Sequence, residues 1–239
     1  GNIVTDFSSA HHGMGYFSVA VNALERYKAV WTDPSGKQHE TLLPNARTNA
    51  ATLKVDQENG ILTYTITIPP EASADMKEFV VIAQMKQQNV YAAKINMRSK
   101  TTVTAPISLD SLPDGVMQVT LFNANELPVA ERLAYINSNN QYFITDLHLP
   151  EKNLVSKGKN VLQVDVGGQL ASNLSISVTD ADLDVKANNA ENIYSQILVS
   201  ADLKGTIYNP AYYFASDADS LKQQLDVVMM TNGWRRFNW

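Results

Sequence analysis

The sequence predicts a mainly β protein: tandem immunoglobulin-like sandwiches followed by a C-terminal two-helix segment. Three observations carry this expectation. Apolar and polar residues alternate with period two through most of the first 180 residues. Turn-forming clusters, among them PPEASAD, KQQ, LPDG and NANE, break the alternation at short intervals. After Asp184 the apolar spacing changes to a helical one.

The alternation is cleanest in ILTYTITIP, where Leu62, Tyr64, Ile66 and Ile68 share one face and threonines dominate the other. Strand-like runs continue in EFVVIAQM, NVYAAKINM, TTVTAPISL, GVMQVTLFN and LPVAERLAYIN. Seven candidate strands begin near Thr52, Leu62, Phe79, Val90, Thr102, Val116 and Val129, and the last ends near Asn137. Seven short antiparallel strands in about 90 residues are the pattern of an immunoglobulin-like sandwich. Residues 50–139 are therefore expected to form one complete module.

The flanks read as parts of neighbouring modules. Residues 1–49 hold MGYFSVAVN, ERYKAVWTDPSG and KQHETLLP, the closing strands of a preceding sandwich, with a turn at Asp33-Pro34-Ser35-Gly36. Residues 140–184 hold QYFITDLHLP, KNVLQVDVGG and NLSISVTD, the opening strands of a further one. In the last of these Leu174, Ile176 and Val178 alternate with Ser175, Ser177 and Thr179. Such a chain reads as a piece of a longer protein.

Residues 185–239 are expected to be helical, with an aromatic loop and tail. Asn188 and Glu191 have capping-box spacing, and Ile193, Tyr194, Ile197, Leu198 and Ala201 form an apolar stripe that runs to Gly205. A second helix starts at Ser216, buries Leu221, Leu225, Val228 and Met229, and stops at Gly233. Between the helices, TIYNPAYYF is pinned by Asn209-Pro210, and WRRFNW ends the sequence.

Composition narrows the function. A net charge of −5 argues against a general nucleic-acid binder, which needs a basic face. No apolar run reaches the roughly 18 residues of a spanning helix, so no direct membrane insertion is expected. The opening GNIVTDFSS lacks the basic and apolar regions of a signal peptide. Cysteine is absent, which removes disulfides, thiolate ligands and cysteine nucleophiles.

Few residues then remain as site candidates. HHGMG holds adjacent histidines, but neighbours in an extended chain point to opposite faces and make a poor ligand pair. Asp180, Asp182, Asp184 and Glu191 fall at positions 1, 3, 5 and 12 of a calcium-loop template. Position 6 is Val185 where a glycine is needed, and a strand precedes the loop where a helix should. No metal and no cofactor is therefore expected. No catalytic constellation emerges, and Arg132 reads first as a charge on a solvated strand face, with an inward or strand-edge position paired to Glu131 or to a neighbouring module as the alternative. For interaction the candidates are the loop tyrosines Tyr208, Tyr212 and Tyr213 and the tail residues Trp234, Arg235, Arg236, Phe237 and Trp239. Their aromatic character favours packing of the tail against an apolar sandwich surface.

Several stretches together resemble macroglobulin-type domains of large cell-envelope proteins of Bacteroidetes. These are HHGMGYFSV, ERYKAVW, TLLPNA, LPDGVMQVTLFNANELPVAERLAYIN, NLSISVTDADL, ILVSADLKGTIYNPAYYF and LDVVMMTNGWRRFNW. In that group such domains precede the plug of an outer-membrane, TonB-dependent receptor-like barrel. The resemblance implies a cell-envelope location and a non-catalytic structural or interaction role, with the rest of the parent polypeptide as partner. The covalent trap of alpha-2-macroglobulin needs a cysteine, which this chain lacks. Two alternatives stand beside it: a module binding a glycan or a peptide through the tyrosines, and an accessory domain of an envelope hydrolase.

Overall fold

A computed structural model describes residues 2–58, 60–137, 145–167, 173–180, 182 and 190–233. Gly1–Ser138 together with Asn189–Trp239 form one compact unit, and Asn139–Asn188 form a second. The chain is mainly β, with antiparallel sheets and two C-terminal helices, as the alternation predicts.

The first unit is centred on a seven-stranded sandwich. Its strands are β3 (Thr52–Glu58), β4 (Ile61–Thr67), β5 (Glu78–Met85), β6 (Gln88–Asn96), β7 (Thr102–Ile107), β8 (Gly115–Asn123) and β9 (Pro128–Ile136). One sheet has the order β3-β4-β7 and the other β6-β5-β8-β9. The predicted alternation sets which side chains meet between them. Leu62, Tyr64 and Ile66 of the first sheet join Phe79, Val81, Ala83, Met85, Met117, Val119, Leu121 and Ile136 of the second in one buried core. On the outer face of the first sheet, the threonines pair across strands. Thr65 and Thr104 hydroxyls stand 2.9 Å apart, and Thr67 and Thr102 stand 3.4 Å apart. The Tyr64 hydroxyl meets that of Tyr91 at 3.1 Å, and burial pushes its pKa far above the ordinary range.

Two turns show how the strands are joined. Lys86 and Gln87 link β5 to β6 with φ of 47° and 64°, so two non-glycine residues occupy the left-handed region that a two-residue hairpin demands. After β8, the buried Asn123 carboxamide accepts from the backbone N–H of Asn125 and of Leu127, and donates to Asp75 at 3.2 Å. That side chain fixes the NANE turn from inside.

Strand β8 departs from simple alternation. Its burial is nearly continuous, with Gly115, Val116, Met117, Val119, Thr120, Leu121 and Asn123 all buried, whereas β5 alternates. The cause is a third layer. Val116 and Leu133 point away from the sandwich core into a second cluster with Leu198, Val199, Ile207, Tyr213, Leu225, Val228 and Met229.

That layer is the C-terminal segment. A short helix α1 (Ile193–Ser195) runs into a wider π-type turn at Gln196–Ser200, then a 3-10 turn at Pro210–Phe214 and helix α2 (Asp219–Asn232). Helix α2 buries Leu221, Leu225, Val227, Val228 and Met229 and packs against the edge strand β9. It begins at Asp219, three residues after the expected Ser216, and ends at Gly233 as expected. The start of α1 is a correction. Its cap is Asn192, whose side chain accepts from the Ser195 N–H at 2.8 Å while the Ser195 hydroxyl accepts from the Asn192 N–H. This box lies four residues beyond the Asn188/Glu191 spacing, and Asn188 falls outside the described residues. The face is also rotated. Ile193 and Ile197 are exposed, while Ser195, Leu198 and Val199 are buried.

At the N-terminal side, β1 (Lys28–Thr32) and β2 (Gln38–Leu42) form a hairpin. The Asp33 carboxylate accepts from the backbone N–H of Ser35 and of Lys37 and pairs with His39 Nε2 at 2.8 Å. These bonds, that of His39 first, hold its pKa at about 2. The run MGYFSVAVN, expected as a strand, has no regular strand beyond the bridge at Met14.

The second unit contains one hairpin, β10 (Thr145–Glu151) with β11 (Val161–Val166), matching QYFITDLHLP and KNVLQVDVGG. The NLSISVT run departs from expectation. Residues 173–180 form no strand, and Val178 is 88% exposed. Alternation states which face a strand would bury, but among the described residues no sheet takes that face.

Two outcomes check this description. Leu121→Ala should lower stability by about 3 kcal/mol in urea unfolding, because it opens a cavity between two sheets. Replacing Lys86 and Gln87 by Asn-Gly should raise stability by about 1 kcal/mol and increase the melting temperature, since left-handed backbone costs a residue with a Cβ roughly that much.

Candidate functional site

Two constellations stand out, both within the first unit. The first is an aromatic shelf on the 3-10 turn Pro210–Phe214. Asn209 enters this turn at φ 48°, with Pro210 supplying the next φ, so the Asn-Pro pair sets the turn as its sequence suggests. Tyr213 is buried and Tyr212 half-buried, with the Tyr212 hydroxyl donating to Gln224 of α2 at 3.0 Å. Phe214 stands edge-on to Tyr135 and to Tyr194. Tyr208, just before the turn, is 64% exposed.

The HHGMG stretch sits on this shelf. His12 and Gly13 both have positive φ, 46° and 78°, and close a tight turn in which the Met14 carbonyl accepts from the N–H groups of Ala10 and His11. Met14 packs on the second core cluster. The His11 ring stacks on Tyr212 at 5.4 Å, and its Nε2 lies 3.0 Å from the Tyr213 hydroxyl. The His12 ring stands edge-on to Tyr208 at 4.8 Å. Burial lowers the His11 pKa, and the neighbouring His12 imidazole lowers it further. Burial also pushes the Tyr213 hydroxyl up to about 12, so at neutral pH it is a hydrogen-bond donor with no basic character.

The second constellation corrects the sequence reading of Arg132. This side chain is 14% exposed and donates through Nη2 to both carboxylate oxygens of Asp226, at 2.8 and 2.7 Å. It also donates through Nη1 to the Leu133 carbonyl. Its cross-strand partner is Val119, a core residue, so Arg132 lies on the inner face of β9 at the open edge of the sandwich. Helix α2 supplies the counter-charge there. Burial raises the Asp226 pKa, and the Arg132 charge and hydrogen bonds offset only part of that rise. On the opposite face of β9, Glu131 accepts from Gln118 and Thr120 of β8. Residue separation of ninety-four hid the Arg132 pair from sequence reading. One signal was present: Asp226 interrupts the apolar face of LDVV.

The remaining candidates separate. Asp180 and Asp182 are exposed, and the Asp182 N–H donates to the Asp180 carboxylate in a local turn. Glu191 lies just before the Asn192 cap, and Asp184 falls outside the described residues. Trp234, Arg235, Arg236, Phe237 and Trp239 also fall outside them. Among the described residues, no three His, Asp or Glu side chains gather to hold a metal ion. No helix is long and apolar enough to cross a membrane, again among the described residues. Comparison with protein-family models and with curated proteins finds no match.

The Arg132 pair should respond unequally to its two halves. Asp226→Ala should cost about 2 kcal/mol, between an exposed pair and a fully buried one, because it strands a guanidinium at the sheet edge. Arg132→Met should cost less at neutral pH, since the half-exposed Asp226 can take up a proton or water. Arg132→Met should also raise the Asp226 pKa further, read by NMR carboxyl titration. The sign follows from the raised folded value: the Asp226 contribution is greatest below its unfolded pKa and declines as pH rises through the folded one. Asp226→Asn should abolish that decline.

Proposed function

We propose that this chain is a non-catalytic structural and interaction region, built of macroglobulin-like domains, of a larger outer-membrane-associated protein of the TonB-dependent receptor-like kind. One observation carries the reading. Three of the stretches that carry the resemblance, LPDGVMQVTLFNANELPVAERLAYIN, ILVSADLKGTIYNPAYYF and LDVVMMTNG, contribute β8, β9, the 3-10 turn and α2. These are the elements that share the second apolar cluster. What resembles the family is thus a joint between a sandwich and its helical cover, held mainly by apolar packing. A rigid module with loops and strand edges at its surface suits a spacer or docking role.

The alternative of a glycan- or peptide-binding module would use Tyr208, Tyr212 and Tyr213. Of these only Tyr208 keeps most of its ring in solvent, and the histidine turn already covers the other two. An accessory role to a hydrolase is favoured by no particular arrangement.

Fractionation of the native source tests the proposal. An antiserum raised against this chain should detect, in the outer-membrane fraction, a polypeptide well above 26.4 kDa. Detection of a 26.4 kDa species confined to the soluble cell contents would overturn it.

A further inference from the structure

At the histidine turn, titratable side chains from the two ends of the sequence meet at an apolar seam. His11 and His12 rings lie 3.8 Å apart, and both rest on tyrosines of the C-terminal layer. The flanking residues 2–9 and 15–22 carry no regular structure. Ile3, Val4, Tyr16 and Val21 are exposed, so they add little to holding that segment in place.

We propose that the His11–His12 turn is an acid-released latch: it holds the N-terminal segment against Tyr212 and Tyr213 while both imidazoles are neutral, and releases it when they take up protons.

Facing His11 are His12 on its own turn and Tyr212 and Tyr213 on the 3-10 turn. Facing His12 are His11, Tyr208 and Tyr212. Among the described residues no carboxylate pairs with either imidazole, whereas His39 and His148 each have an aspartate. Two imidazolium rings this close repel, and nothing in the cluster neutralises them. The hydrogen bond adds to the effect. A neutral His11 can accept from the Tyr213 hydroxyl, but a protonated ring must donate to it, and the buried Tyr213 O–H then loses its acceptor. Attraction of a cationic ring to a tyrosine face works the other way and is weak where water is near. Burial of His11 and repulsion by His12 both act against the charged ring and lower the His11 pKa. With the docked value below the free one, the latch contributes in full above the free pKa of 6.5. It weakens as pH falls from there toward the docked value.

The test follows the intact chain by NMR from about pH 8 to about pH 5, the range in which histidine titrates. Readouts are the contacts between the His11 and Tyr213 rings and the exchange protection of the Ala10 and Met14 amides, corrected for intrinsic exchange. Protection should fall at least about threefold on acidification while β8 amides hold theirs. His11→Phe, which keeps the stack but cannot titrate, should flatten the response, and His12→Gln should reduce it. Constant protection in the unsubstituted chain, or an equal fall in His11→Phe, would overturn the proposal. Should His11→Phe never dock, the His11 titration in the unsubstituted chain decides. A midpoint below the free value that coincides with loss of the ring contacts supports the latch, and one at or above it rejects the latch.

Discussion

Strand β8 is asked to serve two cores at once. Met117, Val119 and Leu121 fill the space between the two sheets, while Val116 on the reverse side meets the helical layer together with Leu133 of β9. A strand buried along most of both faces must have its polar side chains answered by neighbours, and in β8 Gln118 and Thr120 both donate to Glu131 of β9. At roughly 25 cal/mol per Å² of apolar surface, leaving one of those faces bare is costly. The sandwich therefore depends on its cover, and among the described residues the cover's buried side chains share one cluster with Val116 of β8 and Leu133 of β9. Edge strand β9 gains as well, since α2 lies where another chain could otherwise add a strand.

Two polar contacts at this seam are held by different means. The Arg132 guanidinium, at the open side of the sandwich, meets both Asp226 oxygens and a main-chain carbonyl. A charge pair of this kind is a modest source of stability once desolvation is counted, but it fixes register, because a helix slipped by one turn would leave both charges unanswered. The histidine turn uses the opposite means. It is held by ring stacking and one hydrogen bond, with no counter-ion, so its grip depends on neutrality. One seam thus carries a contact that wants charge and another that excludes it.

The seven strands of the sandwich were legible because period-two alternation and turn clusters are local signals, and both survive folding intact. Helix α2 was legible for the same reason, down to Gly233. What escaped is what a window of sequence cannot hold. Two capping motifs four residues apart compete at α1, and the fold uses Asn192 with Ser195 because that places Leu198 and Val199 on the second core. Arg132 and Asp226, like His11 and Tyr213, are partners only through tertiary contact. The NLSISVT run is the converse case, a faultless strand pattern that forms no strand among the described residues. Its lesson is that alternation specifies a surface and leaves the partner of that surface open.

The path of the chain between the sandwich and its cover has an evolutionary side. The second unit departs after Ser138 and the first resumes at Asn189, so fifty intervening residues form an excursion whose two ends belong to a single packed body. Closing such an excursion costs only about 0.6 kcal/mol for each doubling of its length. Selection can lengthen, shorten or replace it with little penalty to the joint that brackets it. Novelty is inexpensive in that stretch, and the bracketing residues are where drift would be punished.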